Sequence, residues 1–429
     1  MNNTHTFNRV SRIKGELKLP GDKSISHRAV MLSCLAKGTS EIKNLSMGED
    51  VKSSVNCFRQ LGISIEKKGD VFLIQGRGYK GLRKSSDPLN AGNSGTLARL
   101  ITGILAAQEF EAAIIGDRSL SSRPMKRIIV PLTSMGAKIT ATPDSTLPLN
   151  IFPPEGLNPI SYELPVASAH VKSAVLLAGL HIADVTTVVE NRPSRNHTEK
   201  MLNLKTEVKD GKYYSYVSKE NYPEPQEFFV PGDISTAVYF IILTLLSKDS
   251  ELLIKDVSLN TSRTGILDIL IKMGGDIQML NPKENSGEIY GDVLVKNSEL
   301  KNINLENYPV VNFIDEIPVL AVAGIFAEGA FEIRTAKELR FKESDRIKAV
   351  CENLRLIGLD IEQFEDGFSI SGSITKSNPV FSSYDDHRIA MAFGILSSVL
   401  KAGGKVNNFD CVKISNPGFL NQLNQVCYG

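Results

Sequence analysis

Lys23, His27 and Arg28 fall within one short stretch, LPGDKSISHRAVML (19–32), where Pro20, Gly21 and Asp22 make a turn and an N-cap ahead of an apolar run to Leu35. The pattern predicts a helix starting near Lys23 with three basic residues in its first two turns. A helix N-terminus already carries about half a positive charge, so cations there are unfavourable unless something negative sits among them. Free N–H groups, the hydroxyls of Ser24 and Ser26 and nearby cations are the parts of a phosphate or carboxylate site. For this stretch alone, basic side chains pointing into water are the plain alternative.

Further cations sit at or beside turns. SLSSRPMKRI (119–128) sets Arg123, Lys126 and Arg127 around a proline able to open a helix, and RPSRNHTEKM (192–201) offers Ser194 and Arg195 just before one. ELRFKESDRIKAV (338–350) carries Lys342, Glu343 and Arg346, with Lys342 and Arg346 expected four apart on one helix face, and YDDHRIAM (384–391) carries Arg388. Together they suggest a clasp for a small substrate bearing several negative charges. Asp315, ahead of the apolar IPVLAVAGIFA, reads as an N-cap or an acid/base group; Glu343 reads as an ion-pair partner or an acid/base group.

These residues need a scaffold, and the chain repeats one. PGDKSISHRAVMLSCLAKGTSEI (20–42) is echoed by PGDISTAVYFIILTLLSKDSELLI (231–254), and similar polar-start, apolar-helix, strand segments begin at Asn93, Ser168, Asp315 and Asp385. The helices are apolar nearly all round, which predicts burial on most faces. A second element, an amphipathic helix ending in a glycine turn and a strand, recurs at 57–65, 131–139, 269–277 and 353–361, with a shortened copy lacking the glycine near EKMLNLKTEV. The reading is α/β: six βαβ-like units in two similar domains, one 21–231 and the other 1–20 plus 232–429. Six buried helices whose positive ends meet at a common cleft would trap an anion there.

Composition narrows the classes. Lys and Arg number 49 against 48 Asp and Glu, a net charge of +1, so no global field favours nucleic acid or an anionic membrane. The start has no apolar core of signal-peptide length and no run reaches a membrane span, so the cytoplasm is expected. The five cysteines, Cys34, Cys57, Cys351, Cys411 and Cys427, form no CxxC and read as core residues. GRGYKG (76–81) fits GxGxxG but no apolar helix follows, so it reads as a strand-to-turn segment. His387 with Asp385 and Asp386 reads poorly as a metal site because Arg388 follows, and His5, His181 and His197 read as surface or satisfied side chains.

The motifs LPGDKSISHRA, NSGT, SRPMKRI, VASAHVKSAVLLAGL, SRNHTEKML, IDEIPVLA, FKESDR and YDDHRIAM, running from residue 19 to 391, resemble those of the 5-enolpyruvylshikimate-3-phosphate (EPSP) synthases. The resemblance implies two inside-out domains of three βαβαββ units, with the active site in the interdomain cleft. It implies attack by the 5-hydroxyl of shikimate 3-phosphate on C2 of phosphoenolpyruvate, protonation at C3, and loss of phosphate from a tetrahedral intermediate. Two polyanions must meet, which accounts for the clasp. Carried over, Lys23 would touch both substrates; Ser24, Arg28, Ser168, Ala169, His170, Arg195, Asp315 and Lys342 would hold shikimate 3-phosphate. Asn93, Gly95, Arg123, His170, Arg346 and Arg388 would hold phosphoenolpyruvate. Asp315 would take the hydroxyl proton and Glu343, assisted by Lys342 and Lys23, would work at the methylene carbon. No metal or organic cofactor is implied, and a monomer without nucleic-acid or membrane partners is expected.

The chain departs from the family at three places: His170 stands where Gln is usual, Glu338 where some members have Asn, and Ile414 where many have a Lys, with Lys413 beside it. Gly95 leaves the space an Ala would fill, so sensitivity to glyphosate is expected. UDP-N-acetylglucosamine enolpyruvyl transferase is the nearest rival, but its mobile-loop Cys is missing: no Cys lies between Cys57 and Cys351. A non-catalytic anion binder would have lost Asp315 or Glu343.

Overall fold

The computed structural model describes residues 4–428. The chain divides into two units. The first comprises Met1–Pro20, Pro231–Lys283 and Ile289–Gly429, the second Gly21–Val230 with Glu284–Glu288. Two of the four crossings between them fall at the repeated Pro-Gly-Asp segments. Pro231 goes with the first unit, and the short hairpin tip Glu284–Glu288 goes with the second, an attachment that no repeat signals.

The second unit repeats one sheet three times. Each sheet has a parallel pair followed by two antiparallel strands, in the orders Glu227–Phe229, Lys37–Lys43, Val71–Arg77, Ser64–Lys68; Leu89–Asn90, Ala112–Ile115, Leu149–Phe152, Lys138–Thr140; and Ser161–Glu163, Thr186–Glu190, Lys212–Val217, Thr206–Lys209. The second strand of each order follows a buried helix: Lys23–Leu35, Gly95–Leu105 and Ala169–Gly179. Asp22, Ser94 and Ser168 cap these helices, their side chains accepting from the N–H groups of Ile25, Leu97 and Val171.

The first unit varies the plan. Its parallel pairs are Arg12–Lys18 with Glu251–Ser258 and Val380–Ser382 with Gly404–Asn407; the third sheet, Phe331–Ile333, Gly367–Ser371 and Asp360–Phe364, is antiparallel. Its central helices are Ile234–Leu246, Ile317–Phe326 and His387–Val399. Each unit has its own continuous apolar core around its three central helices. At about 1.5–3 kcal/mol per fully buried Leu, Ile or Val, these all-round apolar helices are where the folding free energy concentrates.

The recurring glycines do what their spacing predicts. Gly62, Gly136, Gly274 and Gly358 follow the amphipathic helices with φ of +86°, +101°, +101° and +86°. In the shortened copy, helix His197–Met201, Asn203 takes the left-handed turn instead with φ +49°. Gly103 serves a different need: a Cβ there would lie 2.2 Å from the Ala174 carbonyl oxygen, so the Gly95–Leu105 and Ala169–Gly179 helices meet backbone to backbone. GRGYKG continues a strand to Arg77 and then turns, with no helix after it.

Candidate active site

The second unit gathers its cations around the N-terminal turns of its three central helices. Lys23 Nζ lies 3.0 Å from Asp50 Oδ2, at the start of the helix Glu49–Gln60. Arg28 is buried, with Nε on Thr198 Oγ1 (2.7 Å), Nη1 on the Ser24 carbonyl (3.0 Å) and Nη2 on Ser173 Oγ (2.8 Å). Burial lowers its pKa to about 10 against the pull of Glu199, Glu288 and Asp22. His27, between them, contacts Ser54 Oγ (2.7 Å) and Ser94 Oγ (3.3 Å). Burial, then Lys23 and Arg28, hold this imidazole well below its ordinary pKa, so it is a neutral post linking the first two helices.

The second and third helices carry the next residues. Arg123 Nη2 donates to Asn93 Oδ1 (2.9 Å) and Ser119 Oγ (3.0 Å), and Asn93 Nδ2 donates to Asp117 Oδ2 (2.7 Å). Asn93 therefore orients Arg123. Gly95 is the first residue of its helix; a Cβ there would lie 2.4 Å from Arg99 Nη1 and 3.4 Å from Arg123 Nη1. His170 Nε2 is 3.1 Å from Thr96 Oγ1, so the ring makes a side-chain contact from the first turn of the third helix to that of the second. Ser168 caps that turn and Ala169 begins it. Arg195 is half-buried, two residues before the helix His197–Met201. His197 pairs with Glu288, Nδ1 to Oε1 at 2.8 Å.

The first unit concentrates both acid/base candidates on one guanidinium. Asp315 Oδ1 lies 3.1 Å from Lys342 Nζ and 3.1 Å from Arg346 Nη1, and Arg346 Nη2 reaches Glu343 Oε2 at 2.5 Å. Asp386 closes the group, accepting from Arg346 Nε at 2.8 Å and from Ser344 Oγ at 3.1 Å. Burial would lower the pKa of Arg346, but Asp386, Glu343 and Asp315 together raise it instead. Arg388, also raised, lies 3.4 Å from Glu316 Oε1 through Nη1 and 3.8 Å from Asp315 Oδ2 through Nη2. Glu316 also accepts from Ser235 Oγ, which in turn accepts from Arg263 Nη2 at 2.5 Å.

Two sequence expectations change. Lys342 and Arg346 do not share a helix face: the helix runs Arg346–Arg355, because Asp345 caps it through the Lys348 N–H, and Lys342 is extended after the turn Lys337–Phe341. Both cations reach Asp315 all the same. Asp315 is not an N-cap either, since that position falls to Glu316 without a side-chain cap bond. Lys413, beside Ile414, pairs with Asp410 at 2.7 Å on the exposed side of its turn. Asp50, Thr198, Ser173, Asp117, Arg263 and Ser235 were not singled out by sequence. Asp50 and Asp117 sit at helix starts, where a capping search could have found them; Arg263 carries no local signal.

The comparisons meet this geometry. The family model for EPSP synthase (3-phosphoshikimate 1-carboxyvinyltransferase) matches residues 7–423. The chain belongs to the EPSP synthase family. The 3-phosphoshikimate 1-carboxyvinyltransferase of Thermoanaerobacter sp. strain X514 is 46% identical over 95% of this chain and 96% of its own. That of Salinibacter ruber is 43% identical over 98% and 99%. An EPSP synthase structure from Acinetobacter baumannii superposes with a TM-score of 0.86 at 36% identity, covering 100% of this chain and 98% of that one. The enolpyruvyl transferase NikO of Streptomyces tendae, 15% identical with a TM-score of 0.72 over 99% and 97% of the two chains, shares the fold. EPSP synthases transfer the enolpyruvyl group of phosphoenolpyruvate to shikimate 3-phosphate in the shikimate pathway, the reaction of aromatic amino acid biosynthesis that this chain carries as a member of the family.

Proposed function

We propose that the two clusters divide this reaction. Lys23, Ser24, Arg28, Ser168, Ala169, His170 and Arg195 hold shikimate 3-phosphate, with Asp315 and Lys342 at its reacting end. Asn93, Gly95, Arg123, Arg346 and Arg388 hold phosphoenolpyruvate, with Lys23 and His170 on both substrates. Asp315 accepts the proton of the attacking 5-hydroxyl as oxygen bonds to C2. Glu343 delivers a proton to C3, giving the tetrahedral adduct, and takes one back from that methyl group as phosphate leaves. Lys342, Arg346 and Lys23 hold down the negative charge that would otherwise keep the two phosphorylated substrates apart.

The observation that carries this reading is the shared partner of the two carboxylates. Asp315 and Glu343 each sit on a different nitrogen of Arg346, at 3.1 and 2.5 Å. Two acid/base groups fixed by one rigid fork keep a constant separation while each changes protonation, which suits an addition followed by an elimination. The enzyme is proposed to act as a monomer in the cytoplasm; among the described residues no helix is long and apolar enough to cross a membrane.

The test is phosphate release from phosphoenolpyruvate with shikimate 3-phosphate, with UDP-N-acetylglucosamine, or with no acceptor. Release confined to shikimate 3-phosphate is expected. Release with the sugar nucleotide, or silence with both despite shikimate 3-phosphate binding, would overturn the reading.

A further inference from the structure

Behind the cations assigned to shikimate 3-phosphate lies a second, wholly buried charge cluster that the reaction scheme does not use. Lys172 is only 1% exposed and sits on the third central helix, its N–H bonded to the Ser168 carbonyl at 3.0 Å. Its ammonium lies 2.6 Å from Glu190 Oε2, 2.7 Å from Glu199 Oε1 and 3.4 Å from the Ser194 carbonyl. The other oxygen of Glu190 accepts from Ser194 Oγ at 2.5 Å and from the Ser194 N–H at 3.3 Å. Glu199 belongs to the short helix whose Thr198 receives Arg28 Nε and shares a 2.7 Å hydrogen bond with Ser173.

Three pieces of the second unit are thereby tied to one ammonium: the first turn of the Ala169–Gly179 helix, the Ser194–Arg195 turn, and the helix that receives Arg28. Replacing a buried ion pair by well-packed apolar groups is often neutral or stabilising, so net stability is a weak reason for three buried charges here. The arrangement has a local electrical consequence. Glu190 and Glu199 would repel an anion bound at Arg28 and Arg195, and Lys172 cancels part of that field. Burial alone would lower the Lys172 pKa, but Glu199 and Glu190 more than offset it, so the ammonium stays charged.

We propose that Lys172 and Glu190 are positioning residues for the phosphate of shikimate 3-phosphate, holding Ser194 and Arg195 against the first turn of the third helix. The inference rests on the reading that Arg195 binds that phosphate. It predicts an effect on acceptor affinity rather than on the chemistry or on phosphoenolpyruvate.

The experiment is calorimetric titration of shikimate 3-phosphate into the full-length protein and its Arg195→Ala, Glu190→Gln and doubly substituted forms, with steady-state kinetics alongside. Glu190→Gln leaves Lys172 paired with Glu199. It should weaken acceptor binding about tenfold, the worth of one hydrogen bond to a charged group, while the KM for phosphoenolpyruvate at saturating acceptor stays within about twofold. The double variant should bind no more weakly than Arg195→Ala, because Glu190 acts through Arg195. Unchanged affinity in Arg195→Ala would overturn the phosphate reading itself. Weakened Arg195→Ala beside an unchanged Glu190→Gln, or losses that multiply in the double variant, would overturn the positioning role alone. Should Glu190→Gln fail to fold, Ser194→Ala removes the hydroxyl bond of the same link without touching a buried charge. A several-fold loss absent from the Arg195→Ala background supports the role, and full affinity refutes it.

Discussion

Gly95 shows how little room surrounds the residues proposed for phosphoenolpyruvate. A methyl group there would meet Arg99 Nη1 at 2.4 Å, while Arg99 Nη1 itself donates to the Gly95 carbonyl at 3.2 Å, and it would touch Arg123. Gly95→Ala must therefore displace the Arg99 guanidinium. We expect the KM for phosphoenolpyruvate to rise about tenfold with kcat little changed, and inhibition by glyphosate to weaken in parallel in steady-state assays. Unaltered values for both ligands would remove Gly95 from the site, and undiminished wild-type turnover under a large excess of glyphosate would end the expectation of sensitivity. Buried histidines set a separate pH dependence. Burial depresses His27 well below its ordinary pKa and His181 to about 4. The unfolded chain takes up those protons near pH 6.5 and the native chain does not, so stability is full above pH 6.5 and is lost as the pH falls toward 4. A shift of the His181 size amounts to about 3 kcal/mol. Thermal melts from pH 7.5 to 4.5 should show a falling Tm, with a shallower fall in His181→Gln; parallel slopes would refute the assignment.

At the level of elements, the central helices were legible because burial on every side requires apolar residues on every side, and no surface helix shares that pattern. The four turn glycines were legible for an equally local reason, the left-handed conformation at the helix end. Asn203 escaped because Asn also adopts that conformation without announcing it, so the shortened repeat looked like an exception to a turn it in fact keeps. Lys342 was misplaced because spacing alone cannot reveal where Asp345 caps a helix. Close helix approach is the remaining feature of this scale. Gly103→Ala would drive a methyl group into the Ala174 carbonyl, 2.2 Å away, and part the two central helices. We expect a loss of about 2 kcal/mol in denaturant unfolding, with reduced activity because Gly95 and Ser168 begin those same helices. Wild-type stability would show that the helices do not need this contact.

Across the whole molecule, the cations proposed for the site were legible beside turns and helix starts, since an anion site is built from local parts that sequence preserves. Their supports were not. Arg263 reaches Ser235 and Glu316 across 28 and more positions, and Lys172, Glu190 and Glu199 are brought together and buried only by folding. The same holds for the Glu284–Glu288 tip, whose Glu288 pairs with His197 in the second unit. Acceptor binding and proton transfer can be measured separately. The most direct measurement is calorimetric titration of shikimate 3-phosphate into Glu343→Gln, paired with phosphate release by the same preparation. The account predicts acceptor affinity within about threefold of wild type and turnover reduced by at least about a hundredfold, the usual scale of a lost acid/base group. Turnover near wild type would contradict the role of Glu343 at the methylene carbon, and lost acceptor binding would contradict its confinement to the proton transfers.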